Sequence, residues 1–318
     1  MPDQVPTILA ADGDGIARAA RLLRDGRLVA VPTETVYGLA ADATNETAVA
    51  RIFAAKGRPG FNPLIVHVPD LSAARRIATV SPEAEALARA FWPGALTLVL
   101  PLAPDAGLAP PVTAGLSTVA IRVPAHPVMR ALLAEVGRPL AAPSANPSGR
   151  MSATTAAHVV DGLGDAVDAV LDAGPCAVGV ESTILAPRPE GTRLLREGGI
   201  PREAVEAITG PLTADLTPGR VEAPGQMERH YAPRVPLRLG GAAEASEVVV
   251  GFGAGDCDLN LSEAGDLDEA ALRLFSVLHE AEAMALDRGA PAIRVPLLPE
   301  KGLGRAINDR LQRASTPG

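Results

Sequence analysis

Four short polar stretches hold the residue types that could do chemistry. The first, Pro32-Thr33-Glu34-Thr35-Val36-Tyr37-Gly38-Leu39, directly follows an apolar run at 28–31. Polar residues at a strand's C-terminal end are where α/β proteins place ligands, so the hydroxyls of Thr33 and Thr35 could hold a polar substrate. The alternative is a turn that satisfies its own backbone. The second, Lys56-Gly57-Arg58-Pro59-Gly60-Phe61-Asn62-Pro63-Leu64, sets two cations and an amide among prolines and glycines. Prolines stiffen such a loop and glycines let the backbone approach a ligand. Lys56 and Arg58 could then neutralise a triphosphate or a carboxylate. A solvated basic loop, or Lys56 placed against a helix dipole, is the alternative. The chain has 27 Arg but only two Lys, Lys56 and Lys301, which suggests that a compact ammonium is wanted at 56.

His67 lies on the next apolar run, where a lone histidine is more often structural. The third stretch is Ala142-Pro143-Ser144-Ala145-Asn146-Pro147-Ser148-Gly149. Its backbone N–H groups could form an anion-binding nest, with Ser144 and Asn146 adding donors, or it is a proline-rich surface turn. The fourth is Gly179-Val180-Glu181-Ser182-Thr183, followed by Leu194-Leu195-Arg196-Glu197-Gly198. Ser182 could reach a substrate and Arg196 a phosphate; a strand entry and a surface pair are the alternative. Thr118 and Arg122 flank the apolar Val119-Ala120-Ile121 in the same ambiguous way. There is no G-x-x-x-x-G-K-[ST] phosphate loop, no H-E-x-x-H pair and no G-x-S-x-G elbow.

Helices and strands must alternate to position these stretches. Apolar spacing predicts helices at 15–24, 45–55, 82–91, 128–136, 201–208, 267–288 and 304–313. Ser81-Pro82-Glu83 is a strong helix start, Gly57 and Gly137 suit left-handed caps, and Thr154 is read as the cap of a helix through Val160. Strands are predicted at 28–31, 64–68, 96–100, 119–123, 140–142, 169–172, 183–186, 247–252 and 292–295. This is an α/β pattern, with a mixed sheet because some links are too short for a helical crossover. Residues 1–210 are expected to form one α/β domain. Residues 211–236, with five prolines, are expected to be an ordered linker or lid, and residues 237–318 a smaller α/β domain.

Composition narrows the function. With 318 residues, 47% hydrophobic, the chain can bury ordinary cores. Net charge is −8 and aromatics are 3%, which disfavours a nucleic-acid-coating role. Two distant cysteines, Cys176 and Cys257, fit a reducing cytosol and leave no thiolate zinc cluster. No secretory leader or membrane-spanning run is read, so a cytoplasmic location is expected.

In combination, PTETVYGL, KGRPGFNPL with His67, PGALTLVL, STVAIRVPAHP, APSANPSG and GVESTIL closely resemble the threonylcarbamoyl-AMP synthase family, whose catalytic unit is the YrdC-type domain. Arg229-His230-Tyr231-Ala232-Pro233, Glu300-Lys301-Gly302-Leu303-Gly304 and Ala306-Ile307-Asn308-Asp309-Arg310 resemble the longer, two-domain form. The resemblance implies a twisted mixed open sheet with helices and a smaller Rossmann-like C-terminal domain. It implies condensation of L-threonine, bicarbonate and ATP into L-threonylcarbamoyl-AMP, with pyrophosphate released and Mg²⁺ accompanying ATP. A separate transfer system would carry the group to the tRNA adenosine beside the anticodon. Carried over residue by residue, Thr35, His67, Arg122 and Ser182 would surround threonine. Arg58, Asn62, Thr118, Ala142 through its backbone, Ser144, Asn146, Arg196 and Tyr231 would bind ATP, and Lys56 and Arg58 would be catalytic. No side chain is singled out as a metal ligand. The other readings are a non-catalytic RNA-binding module and a carbamoyl-transfer enzyme of the hydrogenase-maturation type. The latter needs Cys-rich zinc segments that two cysteines cannot supply.

Overall fold

The computed structural model describes residues 6–214, 222–242, 244 and 246–317. Eleven strands form one mixed sheet: β1 (Thr7–Ala10), β2 (Val29–Val31), β3 (Gly38–Asp42), β4 (Ile65–His67), β5 (Leu96–Pro101), β6 (Thr118–Arg122), β7 (Leu140–Ala141), β8 (Ala169–Asp172), β9 (Thr183–Ala186), β10 (Arg193–Arg196) and β11 (Thr213–Ala214). Their spatial order is β1-β8-β2-β3-β7-β4-β6-β5-β9-β10-β11. Between them run α1 (Gly13–Arg24), α2 (Glu46–Lys56), α3 (Leu71–Ile77), α4 (Pro82–Phe91), α5 (Pro127–Val136), α6 (Ala156–Leu163) and α7 (Arg202–Thr209).

Local signals explain most helix ends. Asn45 accepts from the Ala48 N–H at the start of α2, and Ser81 accepts from the Ala84 N–H before Pro82. Gly57 and Gly137 close α2 and α5 at φ 57° and 68°. The cap of α6 is Thr155, not Thr154: the Thr155 hydroxyl accepts from the His158 N–H, while Thr154 is buried and meets His158 and Ser276. Strands β1, β3, β10 and β11 and helix α3 were not expected. Strand β11 pairs in parallel with β10, so the stretch read as linker begins inside the large sheet. Residues 215–221 of that stretch lie outside the described residues.

Strand alternation decides where the site lies. Val66, Leu98, Ile121 and Leu185 face one apolar core together with residues of α2, α3, α4 and α6. The alternate positions face the other way. At the β1 end of the sheet that second face is covered by α1 and α5, which bury Val29, Val31, Leu140, Ala169 and Leu171. His67 pairs with Leu140 and Arg122, and Arg122 with Thr97, so all three lie on this face. Past His67 no described helix covers it: Ile65, Val99, Ala120, Ile184 and Ala186 cluster instead with Ala223, from the segment after β11. Half of one sheet face is thus left for a ligand and a covering loop.

The C-terminal part has an all-parallel sheet in the order β12-β15-β13-β14, formed by β12 (Leu237–Leu239), β13 (Val248–Gly251), β14 (Leu259–Asn260) and β15 (Ile293–Val295). Helices α8 (Leu267–Arg288) and α9 (Gly304–Ser315) pack on it. Asn308 clasps the loop before α9, bonding both the N–H and the C=O of Leu298 and the Glu300 carboxylate.

Candidate active site

A cavity of about 40 Å³ opens on the half-covered face. Its floor is the sheet: His67 from β4, Arg122 from β6, and Ser182 and Arg196 at β9 and β10. Thr35 and Ala142 to Ser144 form one wall and Arg58 another. Pro224, Gly225, His230 and Tyr231 form the roof. The roof is tied down. The Ala232 N–H donates to Gly149 O at 2.9 Å, Arg313 donates to Met227 O at 2.6 Å, and Arg196 donates to Pro224 O at 3.4 Å. Gly225 has φ 87°, and a Cβ there would lie 2.8 Å from both Arg196 Cδ and Tyr231 Oη. Only glycine lets the roof come this close.

The polar groups sort by what they already hold. Thr33 is consumed locally: its hydroxyl donates to Val36 O at 2.6 Å and accepts from the N–H groups of Thr35 and Val36. Thr35 differs, because its hydroxyl accepts from Arg122 Nη1 at 2.8 Å. Arg122 also forms an ion pair with Glu34 at 2.7 Å. Burial works to raise the Glu34 carboxyl, but the Arg122 guanidinium outweighs it and holds the group below the usual carboxylate range. Arg196 grips Ser182, donating to its carbonyl at 2.8 Å and to its hydroxyl at 3.1 Å, and Ser182 meets Thr97 at 2.7 Å. Arg58 donates to Asn62 Oδ1 at 2.6 Å and Pro63 O at 2.7 Å. Burial lowers its guanidinium to about 10, still cationic at neutral pH.

Of the residues singled out in the sequence, Thr33, Thr35, Arg58, His67, Arg122, Ala142, Ser144, Ser182, Arg196 and Tyr231 meet on this cavity. Four do not line it. Lys56 lies behind the wall, where its ammonium donates to the carbonyls of Ser144 and Asn146. Burial, and then the Arg58 charge, push that ammonium well below the usual lysine range. Asn62 is spent on Arg58 and faces Met227 of the roof. The Asn146 amide turns inward to the carbonyls of Pro147 and Arg150. Thr118 shares the open face but sits at the far end of β6, paired with Pro101. Glu34, Thr97, Glu181, Gly225 and His230 were missed. Glu34 and Glu181 stood inside quoted motifs, but their partners are 88 and 129 residues away.

Among the described residues, the carboxylates beside the cavity are already engaged. Glu34 is engaged by Arg122, and Glu181 by Arg310 and the Ser152 hydroxyl. No group of three His, Cys, Asp or Glu among the described residues could hold an ion.

His67 and His230 are neutral here. Burial pushes both imidazoles down to about 3, with Arg122 adding to the shift at His67. Their unfolded value is near 6.5. As pH falls below that value, the unfolded chain takes up protons that the folded one refuses. Each histidine therefore costs about 1.4 kcal/mol of stability per pH unit below about 6. The thermal midpoint should drop between pH 7 and pH 5, and His230→Asn should flatten the drop. Equal midpoints at the two pH values would contradict neutral burial.

Comparison with known proteins places the chain among relatives. A family model for Sua5, YciO and YrdC, described as telomere recombination, matches residues 21–198. A second, described as the C-terminal domain of threonylcarbamoyl-AMP synthase, matches residues 200–316. The threonylcarbamoyl-AMP synthase of Bacillus subtilis (strain 168) is 41% identical, over 96% of this chain and 94% of its own length. That of Pyrococcus abyssi is 39% identical, over 93% of each. The crystal structure of P. abyssi Sua5 complexed with L-threonine superposes with a TM-score of 0.88 at 37% identity, covering 98% of both chains.

Proposed function

The chain belongs to the threonylcarbamoyl-AMP synthase family and forms L-threonylcarbamoyl-AMP; on that premise we propose that it does so in the roofed cavity, from L-threonine, bicarbonate and Mg²⁺-bound ATP, releasing pyrophosphate and water. The observation that carries this reading is the convergence of Arg58, Arg122 and Arg196 with the Thr35, Ser144 and Ser182 hydroxyls and a neutral imidazole. All the reactants except the amine are anionic, so the task is to hold mutually repelling charges together. Threonine's neutral amine attacks the carbon of bicarbonate, and water leaves. The carbamate oxygen then attacks the α-phosphorus, and pyrophosphate leaves.

Thr35, His67, Arg122 and Ser182 seat threonine. At a pKa of about 3 His67 is a poor base, and its Nδ1 is buried without a hydrogen-bond partner. It suits holding the amine by accepting a hydrogen bond. Arg58, Arg196, Ser144 and the Ala142 backbone hold ATP, with Asn62 orienting Arg58. Thr118 and Asn146 join them only if the loaded site extends beyond the closed cavity. Mg²⁺ arrives on the phosphates and shares their charge, since it binds through phosphates and water more readily than in all-protein cages. The product is an activated carbamoyl donor, which a separate transfer system takes to tRNA. The two free cysteines, with Cys176 buried and its thiol pushed up to about 12 by that burial, support a reducing, cytoplasmic setting. No described helix is long and apolar enough to cross a membrane.

Pyrophosphate release that needs both threonine and bicarbonate tests the reaction; release independent of either would sink it. In the same assay Ser182→Ala and His67→Ala should raise the KM for threonine more than that for ATP, by about tenfold each, the scale of one lost hydrogen bond. A larger effect on ATP would reverse the assignment.

A further inference from the structure

Arg310, on α9, is fully buried, and nothing in the reaction described above uses it. Its Nε donates to Glu181 Oε2 at 2.8 Å and its Nη1 to Asp309 Oδ2 at 2.7 Å. Its guanidinium carbon lies 5.1 Å from the centroid of the Tyr231 ring. Glu181 immediately precedes Ser182, and Tyr231 is part of the roof. Arg310 is thus a C-terminal residue in contact with both the floor and the roof of the cavity. Joining two domains does not require this. Burying a guanidinium costs several kcal/mol, and apolar side chains of similar volume hold interfaces as well or better. Tyr231 moreover sits at φ 62°, a conformation that costs a non-glycine residue about 1–3 kcal/mol and persists only where its surroundings impose it. The guanidinium face, His230 edge-on at 4.0 Å and Phe275 at 5.9 Å are those surroundings.

We propose that Arg310 is a positioning residue for adenylate formation: it holds Glu181, and with it the seat of Ser182, on one side and the Tyr231 ring on the other, so that the C-terminal domain completes the site. This rests on Ser182 seating threonine and on Tyr231 closing over the nucleotide and keeping water from the adenylate. It also gives a use to the Asn308-Asp309-Arg310 motif: Asn308 anchors the loop before the helix, and Asp309 pairs with the same guanidinium.

The test compares Arg310→Met, Arg310→Lys and the double variant Glu181→Gln/Arg310→Met in the full chain. It reads threonine KM, free AMP released per adenylate, and the thermal midpoint. Arg310→Met should raise threonine KM and AMP release by about tenfold, the scale of one buried cation–π contact, and lower the midpoint by stranding the Glu181 charge. Arg310→Lys, which keeps the cation, should recover part of all three. The double variant removes the stranded charge, so it should recover the midpoint but keep the raised KM and AMP release; if Arg310→Met does not fold, this variant decides. KM and AMP release within twofold of the parent in either Met variant would overturn the proposal, as would their full recovery together with the midpoint in the double variant. Absence of threonine-dependent pyrophosphate release from the parent would instead overturn the reaction itself.

Discussion

Lys56→Ala should lower adenylate formation by about 10²–10³-fold, the scale of losing one preorganised electrostatic contact in an enzyme site. The Lys56 ammonium draws the carbonyls of Ser144 and Asn146 together, and so sets the wall from Ala142 to Ser144 that faces the cavity. An ammonium has three N–H donors and two are spent on carbonyls. Lys56 does not line the cavity, so it acts on a bound anion through the wall that it shapes. Alanine removes all of this and strands two buried carbonyls, at about 1–3 kcal/mol each, which a domain of this size can survive. Lys56→Arg should remain below about a tenth of the parent rate, because a planar fork cannot take the place of a point charge between two carbonyls. Circular dichroism checks folding, and threonine-dependent pyrophosphate release checks turnover. Near-parental turnover in Lys56→Arg would show that no compact charge is required.

Tyr231→Ala should raise free AMP per adenylate by about tenfold, because a mixed anhydride survives only where water is excluded. Pro224, Gly225, His230 and Tyr231 roof a cavity of only about 40 Å³, so the roof must lift for ATP to enter. Lifting it must break a few hydrogen bonds, one close glycine contact and the packing of Tyr231 against Arg310 and Phe275. Trypsin should cut after the exposed Arg229, and the cut should slow when ATP and threonine are added together, as the loaded site pulls the roof down. If cleavage and AMP release are both unchanged, the segment from Pro224 to Tyr231 is only a tether.

What the sequence determined by itself is whatever depends on neighbours within a turn or two. Asn45, Ser81-Pro82 and Gly57 set helix ends by bonding or fitting backbone a few residues away, and α8 is bounded as its periodicity requires, by the Asp266 cap and Gly289. The motif strings were legible for the same reason: each is one continuous stretch, a loop or a strand with its flanking turn, so its residues arrive in the same region together. Strand β3 was not legible. Gly38-Leu39-Ala40-Ala41-Asp42 has little strand preference of its own and is extended because β2 and β7 pair with it on both sides.

Only the tertiary structure decided which face of the sheet α1 and α5 leave uncovered. It alone set Glu34 against Arg122, and it turned Lys56 and Asn146 away from the cavity that their motifs help to build. It also carried Arg310 from the far end of the chain to Glu181 and Tyr231. The physical reason is that a buried charge tolerates its place only beside a specific partner. That partner is chosen by the packing of whole elements, which no local spacing records.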